Sequence, residues 1–420
     1  MNVVMLSDHD GQGGAAVAAR RLEAGLNSHA KVSRVVFLAD GSTPPHAALW
    51  YEESPLKTHL MRLPRRLLPH VFDRPHTREF AGRRLREVLS ILAPDVINVH
   101  NLHAASPWGW GPRLLDVCLE FAPVVWTLHD MWSFTGRCAY SYGCERFITG
   151  CDATCATHDE APSLAAKDIH AAWEERRSIY ERHCSDLFFV TPSRWLASQA
   201  RRGMLSQHRI EVIPYGVPIS PALMPRAEAR RRLGIIADGP VLLVAAFDLT
   251  ERRKGAEIHP HVWPHVDRRQ VTVLTMGRGD LNLGDIRVHA LGYVDDEDTR
   301  TLAYSAADAL LHPAPVDNFP NVVLEAMACG TPAIAMPVGG LPELVRPGVT
   351  GWLADEATPH SLAKAVNLAL ADIASGESLR ASCRDVVEKE YTLELQATRY
   401  RRLFAQLQFT SRPATISTLP

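Results

Sequence analysis

The most informative part of the chain reads Pro313-Ala-Pro-Val-Asp317-Asn-Phe-Pro320-Asn-Val-Val-Leu-Glu325-Ala-Met-Ala-Cys-Gly330-Thr-Pro332. It follows the apolar run Ala309–Leu311, which is typical of a strand covered on both faces of a parallel sheet. Pro320 suits the first turn of a helix, and Gly330 suits its end. The pattern therefore predicts a strand, a turn and a helix whose first residues lie at the carboxyl end of the strand.

The start of this predicted helix is a candidate site for an anion. Its first N–H groups, near Asn321 and Val322, have no partners within the helix, and the helix dipole favours negative charge there. Glu325 lies one turn further on the same face, within reach of ribose hydroxyls. Asp317, just before the helix, would face the group beyond the phosphates. The structural alternative is a capped helix with a solvent-facing glutamate.

The same alternation of short apolar runs and helix-period stretches continues along the chain, which predicts parallel sheets built from βαβ units. The predicted strands are Val3–Leu6, Arg34–Leu38, Val96–Val99, Val124–Leu128, Leu187–Val190, Glu211–Ile213, Val241–Ala245, Val271–Thr275, Val288–Leu291, Ala309–Leu311, Ala333–Ala335 and Gly351–Leu353. They are too many for one ordinary open sheet, and the pattern restarts after Pro214–Pro218. We therefore expect two doubly wound domains, residues 1–216 and 217–391, facing each other across a cleft. A helix over 392–407 would cross back to the first domain, and 410–420 would be a frayed tail.

Length and composition set the class of protein. A chain of 420 residues with 46% hydrophobic and 22% charged residues has room for roughly two to three domains and is not disordered, collagenous or a disulfide miniprotein. A net charge of −2 gives no sign of a nucleic-acid partner. No apolar run approaches the roughly 18–20 residues that span a bilayer, and no targeting segment precedes the first strand. We expect a cytoplasmic protein.

The loop after the first predicted strand is rich in glycine. Gly11, Gly13 and Gly14 precede the predicted helix Ala16–Leu26. Glycines let a ligand approach the backbone closely at a helix start. The dinucleotide fingerprint G-x-G-x-x-G, with an acidic residue about 20 positions on, is incomplete here. A tight turn remains the structural alternative, and a nicotinamide oxidoreductase is disfavoured.

These segments together resemble a known family. The stretch from Asp317 to Glu325 is similar to the E-x7-E region of the family-4 retaining glycosyltransferases of the GT-B fold. Further similar segments are Gly11–Gly14, Thr127–Asp130, Arg253–Gly255, Leu291–Val294, Tyr304–Asp308, Pro337–Glu343 and Gly348–Gly351. The segment Thr127–Cys155 most resembles the colanic-acid type of polysaccharide-building transferases.

The resemblance implies transfer of a hexosyl group, with retention and without a metal, from a nucleoside-diphosphate sugar to a hydroxyl of a glycan, lipid-linked or small-molecule acceptor. No cofactor is required. The implied catalytic residues are Asp317, Glu325, His129 and Lys254. The implied donor and phosphate contacts are Gly13, Gly14, Arg253, Lys254, Phe319, Pro320, Asn321, Val322 and Glu325, and the implied nucleotide-side loop is Gly292, Tyr293 and Val294.

Two departures from the family pattern keep alternatives open. Asp317 stands where most relatives carry glutamate, and Asp248 and Leu249 occupy the zone in which relatives often place an arginine. Arg252 or Arg253 would then contact the diphosphate. A catalytically impaired nucleotide-sugar-binding protein and a sugar phosphorylase or epimerase on the same fold are the alternative functions. His100 and His103 are weaker site candidates than His129.

Two further segments suggest additional features of the first domain. Lys57–Arg86 is rich in basic residues interleaved with apolar ones, which suits peripheral contact with an anionic membrane surface. Proline residues interrupt it, and a solvated face is the alternative. Cys138, Cys144, Cys151 and Cys155 fall in one short window and could form a structural zinc clip, although their spacing is looser than that of a zinc ribbon. Free thiols packed as small hydrophobic groups are the alternative.

Overall fold

The structure is a computed structural model that describes residues 1–9, 13–38, 47–49, 75–102, 111–158, 162–267, 271–281, 283–376 and 378–410. The chain divides into two compact units. The first contains Met1–Pro192, Leu196–Ile213 and Ala397–Pro420, and the second contains Ser193–Trp195 and Pro214–Gln396. The main boundary falls at Ile213, close to the one expected after residue 216. The end of the chain returns to the first unit from Ala397 onwards.

The first unit is built on a parallel sheet. Its seven strands in the described residues are β1 (Asn2–His9), β2 (Lys31–Leu38), β3 (Ala47–Leu49), β4 (Val96–Val99), β5 (Val124–Thr127), β6 (Leu187–Thr191) and β7 (Ile210–Val212). Their spatial order is β3-β2-β1-β4-β5-β6-β7, and every neighbouring pair is parallel. The chain winds outward from β1 in both directions, and such sheets bind ligands beyond the carboxyl ends of their strands.

Helices cover this sheet. They are α1 (Gly14–Asn27), α2 (Pro75–Leu92), α3 (Leu114–Leu119), α4 (Arg146–Thr149), α5 (Ile169–Arg182), α6 (Arg194–Arg201) and, at the end of the chain, α14 (Leu393–Thr410). Tyr400 and Phe404 of α14 are fully buried and belong to the same apolar core as Val3 and Met5 of β1. The core of the first unit therefore depends on residues from both ends of the chain.

The second unit repeats the architecture. Its six strands in the described residues are β8 (Val241–Asp248), β9 (Thr272–Arg278), β10 (Arg287–Ala290), β11 (Ala309–His312), β12 (Ala333–Ala335) and β13 (Gly351–Leu353), in the parallel order β10-β9-β8-β11-β12-β13. Its helices are α7 (Arg226–Arg232), α8 (His259–Val262), α9 (Glu297–Ala306), α10 (Asn321–Ala328), α11 (Leu341–Leu344), α12 (Pro359–Ala374) and α13 (Arg380–Glu390). The central strand β11 is buried along its whole length.

The predicted fold class is confirmed, because each unit is a doubly wound parallel sheet. Every strand predicted from the sequence overlaps an observed one. The edge strand β3 is additional, and its three residues after Pro44-Pro45 carry too short an apolar run to be recognised. No helix in the described part of the chain is long and apolar enough to cross a membrane.

Candidate functional site

The turn after β11 brings a carboxylate and an ammonium group together in the second unit. Asp317 lies between β11 and α10 and is 4% exposed. Lys254 ends the short 3₁₀ helix Arg252–Lys254, which follows β8, the strand beside β11. The distance from Lys254 Nζ to Asp317 Oδ2 is 2.6 Å. Two residues predicted separately as catalytic therefore form an ion pair between a partly buried lysine and a buried aspartate, at the carboxyl ends of neighbouring strands.

The carboxylate of Asp317 has further partners. Its Oδ1 accepts from the backbone N–H of Asn318 at 2.9 Å, and Oδ2 lies 3.2 Å from His312 Nε2. Burial by itself would raise the pKa of Asp317, but Lys254 and His312 outweigh this and hold it well below its usual range. Burial lowers the pKa of His312, although its hydrogen bond to Asp317 opposes the shift. Asp317 is therefore charged, and His312 is a neutral donor to it.

Two glycines allow the chain to pack this closely. Gly339 has φ +57°, and a Cβ atom there would lie 1.7 Å from the carbonyl oxygen of Asp317. Gly255, directly after Lys254, has φ +93°, and its Cβ would lie 2.6 Å from the carbonyl oxygen of Pro313. Side chains are disfavoured at both positions by backbone angle and by space. These glycines set the positions of the backbones that carry the ion pair.

Helix α10 begins one residue after the proline that was predicted to lie in its first turn. Pro320 is the residue before the first helical residue, Asn321, and its side chain provides no cap. Glu325 is partly exposed, and its Oε2 accepts a hydrogen bond from Tyr304 Oη at 2.7 Å. Tyr304 lies on α9 and is 2% exposed. Tyr304 was not predicted to be a partner of Glu325, because the packing of α9 on α10 brings the two residues together.

Phe319 was predicted to contact the donor, and its side chain does not fit that role. It is 3% exposed and packs edge-on against Tyr215 and Tyr391, with ring centroids 5.9 and 5.8 Å away. The aromatic residue before Pro320 is part of the packing that supports the turn. Phe319 is thus a core residue of the second unit, although it lies in the segment that resembles the family pattern.

The two arginines beside Lys254 differ in position. Arg252 is exposed and pairs with Glu257 at 3.1 Å. Arg253 is partly buried, pairs with Glu251 at 2.8 Å, and is near enough to lower the pKa of Asp317. Of the two arginines considered for the diphosphate, Arg253 lies closer to the ion pair.

An aromatic cluster lies at the carboxyl ends of β8, β9 and β10. Tyr293, in the predicted nucleotide-side loop with Gly292 and Val294, is 44% exposed, and Phe247 of β8 is 40% exposed. Their ring centroids are 5.5 Å apart, and the guanidinium carbon of Arg278 lies 4.5 Å and 4.8 Å from the Phe247 and Tyr293 centroids. Of these three residues only Tyr293 was predicted, because Phe247 and Arg278 belong to other strands.

In the first unit, His129 follows β5 and is partly exposed. Its Nε2 lies 3.0 Å from Nδ1 of His100, which we predicted to be a weaker site candidate than His129. His103 lies outside the described residues, as does Gly11.

Gly13 has φ +89° and precedes α1, and Gly14 is the first residue of α1; both glycines are exposed. Gly13 and Gly14 therefore lie at a helix start, as expected.

The four clustered cysteines do not form a set of metal ligands. Among the described residues, no group of three or more histidine, cysteine, aspartate or glutamate side chains is placed to hold a metal ion. All four are free thiols. The Sγ of Cys151 accepts from the backbone N–H of Gly136 at 3.2 Å, and burial raises the pKa of this thiol to about 11. Cys151 is thus a packed thiol with a backbone donor, and the predicted zinc clip rests on the spacing of the cysteines alone.

Comparison with known proteins agrees with this architecture. Residues 12–220 match the family model Glycosyltransferase Family 4, and residues 239–372 match Glycosyl transferases group 1. The putative colanic acid biosynthesis glycosyl transferase WcaC of Escherichia coli K12 is 27% identical over 264 residues, which cover 60% of this chain and 62% of the relative. The D-inositol 3-phosphate glycosyltransferase of Xylanimonas cellulosilytica is 31% identical over 196 residues, 42% of this chain and 46% of the relative. The chain thus matches less than two thirds of the length of either relative.

Solved structures share the fold over nearly the whole chain. Sucrose-phosphate synthase from Thermosynechococcus elongatus has a TM-score of 0.71 at 23% identity, and the match covers 97% of this chain and 99% of that one. Anabaena HepE in complex with UDP-glucose has a TM-score of 0.63 at 16% identity, with 96% and 99% covered. At such identities the likeness concerns the fold alone. The family models, the relatives and the shared architecture together show that the chain belongs to the family-4 glycosyltransferases of the GT-B fold.

Proposed function

We propose that the protein transfers a hexosyl group from a nucleoside-diphosphate sugar to an acceptor hydroxyl, with retention and without a catalytic metal. The observation that carries the proposal is the buried pair of Lys254 and Asp317 beside the start of α10. A nucleotide sugar joins an anionic diphosphate to a neutral, hydroxyl-rich ring. It therefore needs a cation and a hydrogen-bond acceptor side by side, which this pair supplies.

The charge that develops during transfer supports the role of Lys254. Negative charge grows on the β-phosphate as the bond to the anomeric carbon breaks. An ammonium group fixed at 2.6 Å from Asp317 keeps further N–H groups for a phosphate. Arg253 and the dipole of α10 add positive potential that is present before the reaction. In this arrangement these groups take the role that a divalent cation has in metal-dependent enzymes.

Glu325 is proposed to hold the ribose of the donor. The hydrogen bond from Tyr304 fixes Oε2 of Glu325, which sets the direction of the carboxylate on α10. A carboxylate accepts several hydrogen bonds, so it can bind ribose hydroxyls as well. The base would then lie towards Phe247 and Tyr293, whose exposed rings can stack on any nucleobase. The UDP-glucose bound by HepE shows that this fold accommodates such a donor in that protein.

The first experiment measures nucleotide binding. UDP, GDP and ADP are added separately to the purified full chain, and the thermal midpoint is recorded. A ligand at a hundred times its Kd stabilises a protein by about 2.7 kcal/mol, so the matching nucleotide is expected to raise the midpoint clearly. The variant Glu325→Gln is expected to lose most of this shift. Glu388→Gln, an exposed glutamate of α13, is the matched control. No shift with any of the three nucleotides would contradict the proposal.

The second experiment measures transfer. Release of the nucleoside diphosphate is followed with UDP-, GDP- and ADP-hexoses and a panel of glycan, lipid-linked and small-molecule acceptors. The anomeric configuration of the product tests retention, and unchanged activity in excess EDTA tests metal independence. Transfer that needs inorganic phosphate would instead identify a phosphorylase, and conversion of the donor without an acceptor would identify an epimerase. Nucleotide binding without turnover would identify a binding protein.

Contact with a membrane surface remains part of the proposal for a lipid-linked acceptor. Most of the segment Lys57–Arg86 lies outside the described residues. Basic residues near a surface contribute about 1 kcal/mol each towards anionic lipids at low screening. Flotation with anionic and neutral liposomes at low salt tests the contact, and equal recovery with both would contradict it.

A further inference from the structure

Two neighbouring strands of the first unit carry polar side chains on one face. Asn98 lies in β4 with His100 two positions later, and Thr127 ends β5 with His129 two positions later. Residues two apart along a strand share a face, and β4 pairs with β5. Asn98, His100 and Thr127 are each at most 2% exposed. The four side chains thus form a row that leads from the interior to His129.

Hydrogen bonds connect this row without a gap. The distances are 2.8 Å from Tyr400 Oη to Thr127 Oγ1, 3.1 Å from Thr127 Oγ1 to Asn98 Nδ2, 3.0 Å from Asn98 Oδ1 to His100 Nε2, and 3.0 Å from His100 Nδ1 to His129 Nε2. The backbone of His100 is held as well, because Trp126 Nε1 donates to its carbonyl oxygen at 2.8 Å. The imidazole of His100 is therefore fixed on both sides.

The direction of each hydrogen bond follows from the backbone of β5. The carbonyl oxygen of Val125 can only accept, and it lies 2.8 Å from the side chain of Asn98. The Asn98 atom facing it must therefore be the amide nitrogen, which leaves Oδ1 facing His100. Oδ1 can only accept, so Nε2 of His100 carries a hydrogen.

His100 is neutral, which determines its other nitrogen. Burial, and after it the charge of the buried Arg34, which pairs with Glu23 at 3.2 Å, lower its pKa to about 3. A neutral imidazole that carries its hydrogen on Nε2 has only a lone pair on Nδ1. The atom that meets this lone pair is Nε2 of His129, so this atom must be the donor.

We infer that Asn98 and His100 act as positioning residues that hold His129 in the tautomer with its hydrogen on Nε2. In this tautomer the lone pair of the His129 ring lies on Nδ1, which accepts hydrogen bonds and does not donate them. Such a nitrogen suits a hydroxyl partner, whereas a phosphate dianion or a carboxylate has no hydrogen to give it. The role in catalysis rests on the proposed sugar transfer, but the tautomer itself does not.

Nuclear magnetic resonance tests the tautomer in the unmodified chain. The full protein is labelled with ¹⁵N-histidine, and His129→Gln and His100→Gln serve only to assign the signals. Scalar coupling across the hydrogen bond between His129 Nε2 and His100 Nδ1 is expected, with the hydrogen attached to His129. A hydrogen found on His100 Nδ1, or averaged tautomers without coupling, would overturn the inference. This result does not depend on enzymatic activity, so it is separate from any failure of the proposed function.

Kinetics then tests the role. His100→Leu removes the acceptor, and kcat is expected to fall at least about tenfold, part of the roughly 10²–10⁴-fold that a positioned acid or base contributes. His100→Asn keeps an amide oxygen near the position of Nδ1 and is expected to retain most of kcat. Both variants are checked for an unchanged thermal midpoint. Wild-type kcat in both variants, or an equal loss in both, would overturn the positioning role.

Discussion

Replacement of Lys254 by methionine removes one half of a buried ion pair and leaves Asp317 without its ammonium partner. Asp317 is 4% exposed, so water cannot replace the lost charge. Removal of one partner from a buried pair costs about 3–5 kcal/mol, chiefly because the remaining charge is desolvated and uncompensated. The loss in Lys254→Met is thus expected to affect folding as well as phosphate binding.

The sign of the pH dependence follows from the pKa of Asp317. In the wild-type protein this pKa lies below its unfolded value, so the pair stabilises the fold above that value, and the contribution is lost as the pH falls through the folded pKa. Burial is the largest single influence on this pKa and raises it, and without Lys254 only His312 and Arg253 oppose burial, so the pKa of Asp317 is expected to rise. The carboxyl group of the variant then takes up a proton in mild acid, and the destabilisation decreases as the pH falls.

Thermal unfolding measures the effect. For a unit of this size, a loss of about 3–5 kcal/mol lowers the midpoint by roughly 6–20 °C near neutral pH. The difference from wild type is expected to shrink at about pH 4.5. The double variant Lys254→Met/Asp317→Asn removes both charges and is expected to recover at least half of the loss. Lys389→Met, an exposed lysine of α13, controls for the substitution itself.

Two results would refute this reasoning. An unchanged midpoint in Lys254→Met would show that the pair does not stabilise the second unit. An equal loss in the single and double variants would show that the uncompensated charge is not the cause. If the reasoning holds, the activity of a Lys254 variant reports on folding and catalysis together, and the double variant is the reference that separates them.

Three further sets of substitutions test the site. Tyr304→Phe removes the hydrogen bond to Glu325 and is expected to raise the Kd of the nucleoside diphosphate about tenfold, since a hydrogen bond to a charged group contributes about 1.5–3 kcal/mol; titration calorimetry that gives an unchanged Kd would contradict this. Gly339→Ala is expected to destabilise the second unit by more than about 3 kcal/mol in urea unfolding, whereas Gly348→Ala, with φ +71° and no atom within 4 Å of its Cβ, is expected to cost only about 1–2 kcal/mol; equal losses would remove the steric argument. Phe247→Ala and Tyr293→Ala are each expected to weaken nucleotide binding about tenfold through lost stacking, while inorganic pyrophosphate binds these variants as it binds wild type; an equal loss for both ligands would place the base elsewhere.

The fold could be predicted from the sequence because each strand and helix is indicated by residues that are neighbours in the chain. Apolar runs such as Ala309–Leu311 and Ala333–Ala335 lie in the observed strands, since a strand buried on both faces favours apolar residues at successive positions. The helix start at Pro320 and Asn321 was predicted for the same reason, from residue types with fixed positions at helix ends.

The details of the site depend on contacts between distant segments. Lys254 and Asp317 meet only because β8 and β11 are neighbours in the sheet, and Glu325 gains Tyr304 only through helix packing. Phe319 was assigned to the donor because it lies in the signature segment, but its packing against Tyr215 and Tyr391 cannot be read from local sequence. His100 could have been identified from the sequence, because Asn98 and Thr127 each precede a histidine by two residues at the ends of neighbouring strands.

The position of α14 has a consequence for the order of folding during synthesis. The first unit is made first, yet its core includes Tyr400 and Phe404, which leave the ribosome only after Pro214–Gln396 has been translated. At roughly 5–20 residues per second, this delay is on the order of 10–40 s. During that time the surface around Val3 and Met5 that α14 covers is exposed to chaperones, proteases and other nascent chains. A ribosome that stalls before Ala397 would therefore release a second unit with nearly all its residues and a first unit that cannot close its core.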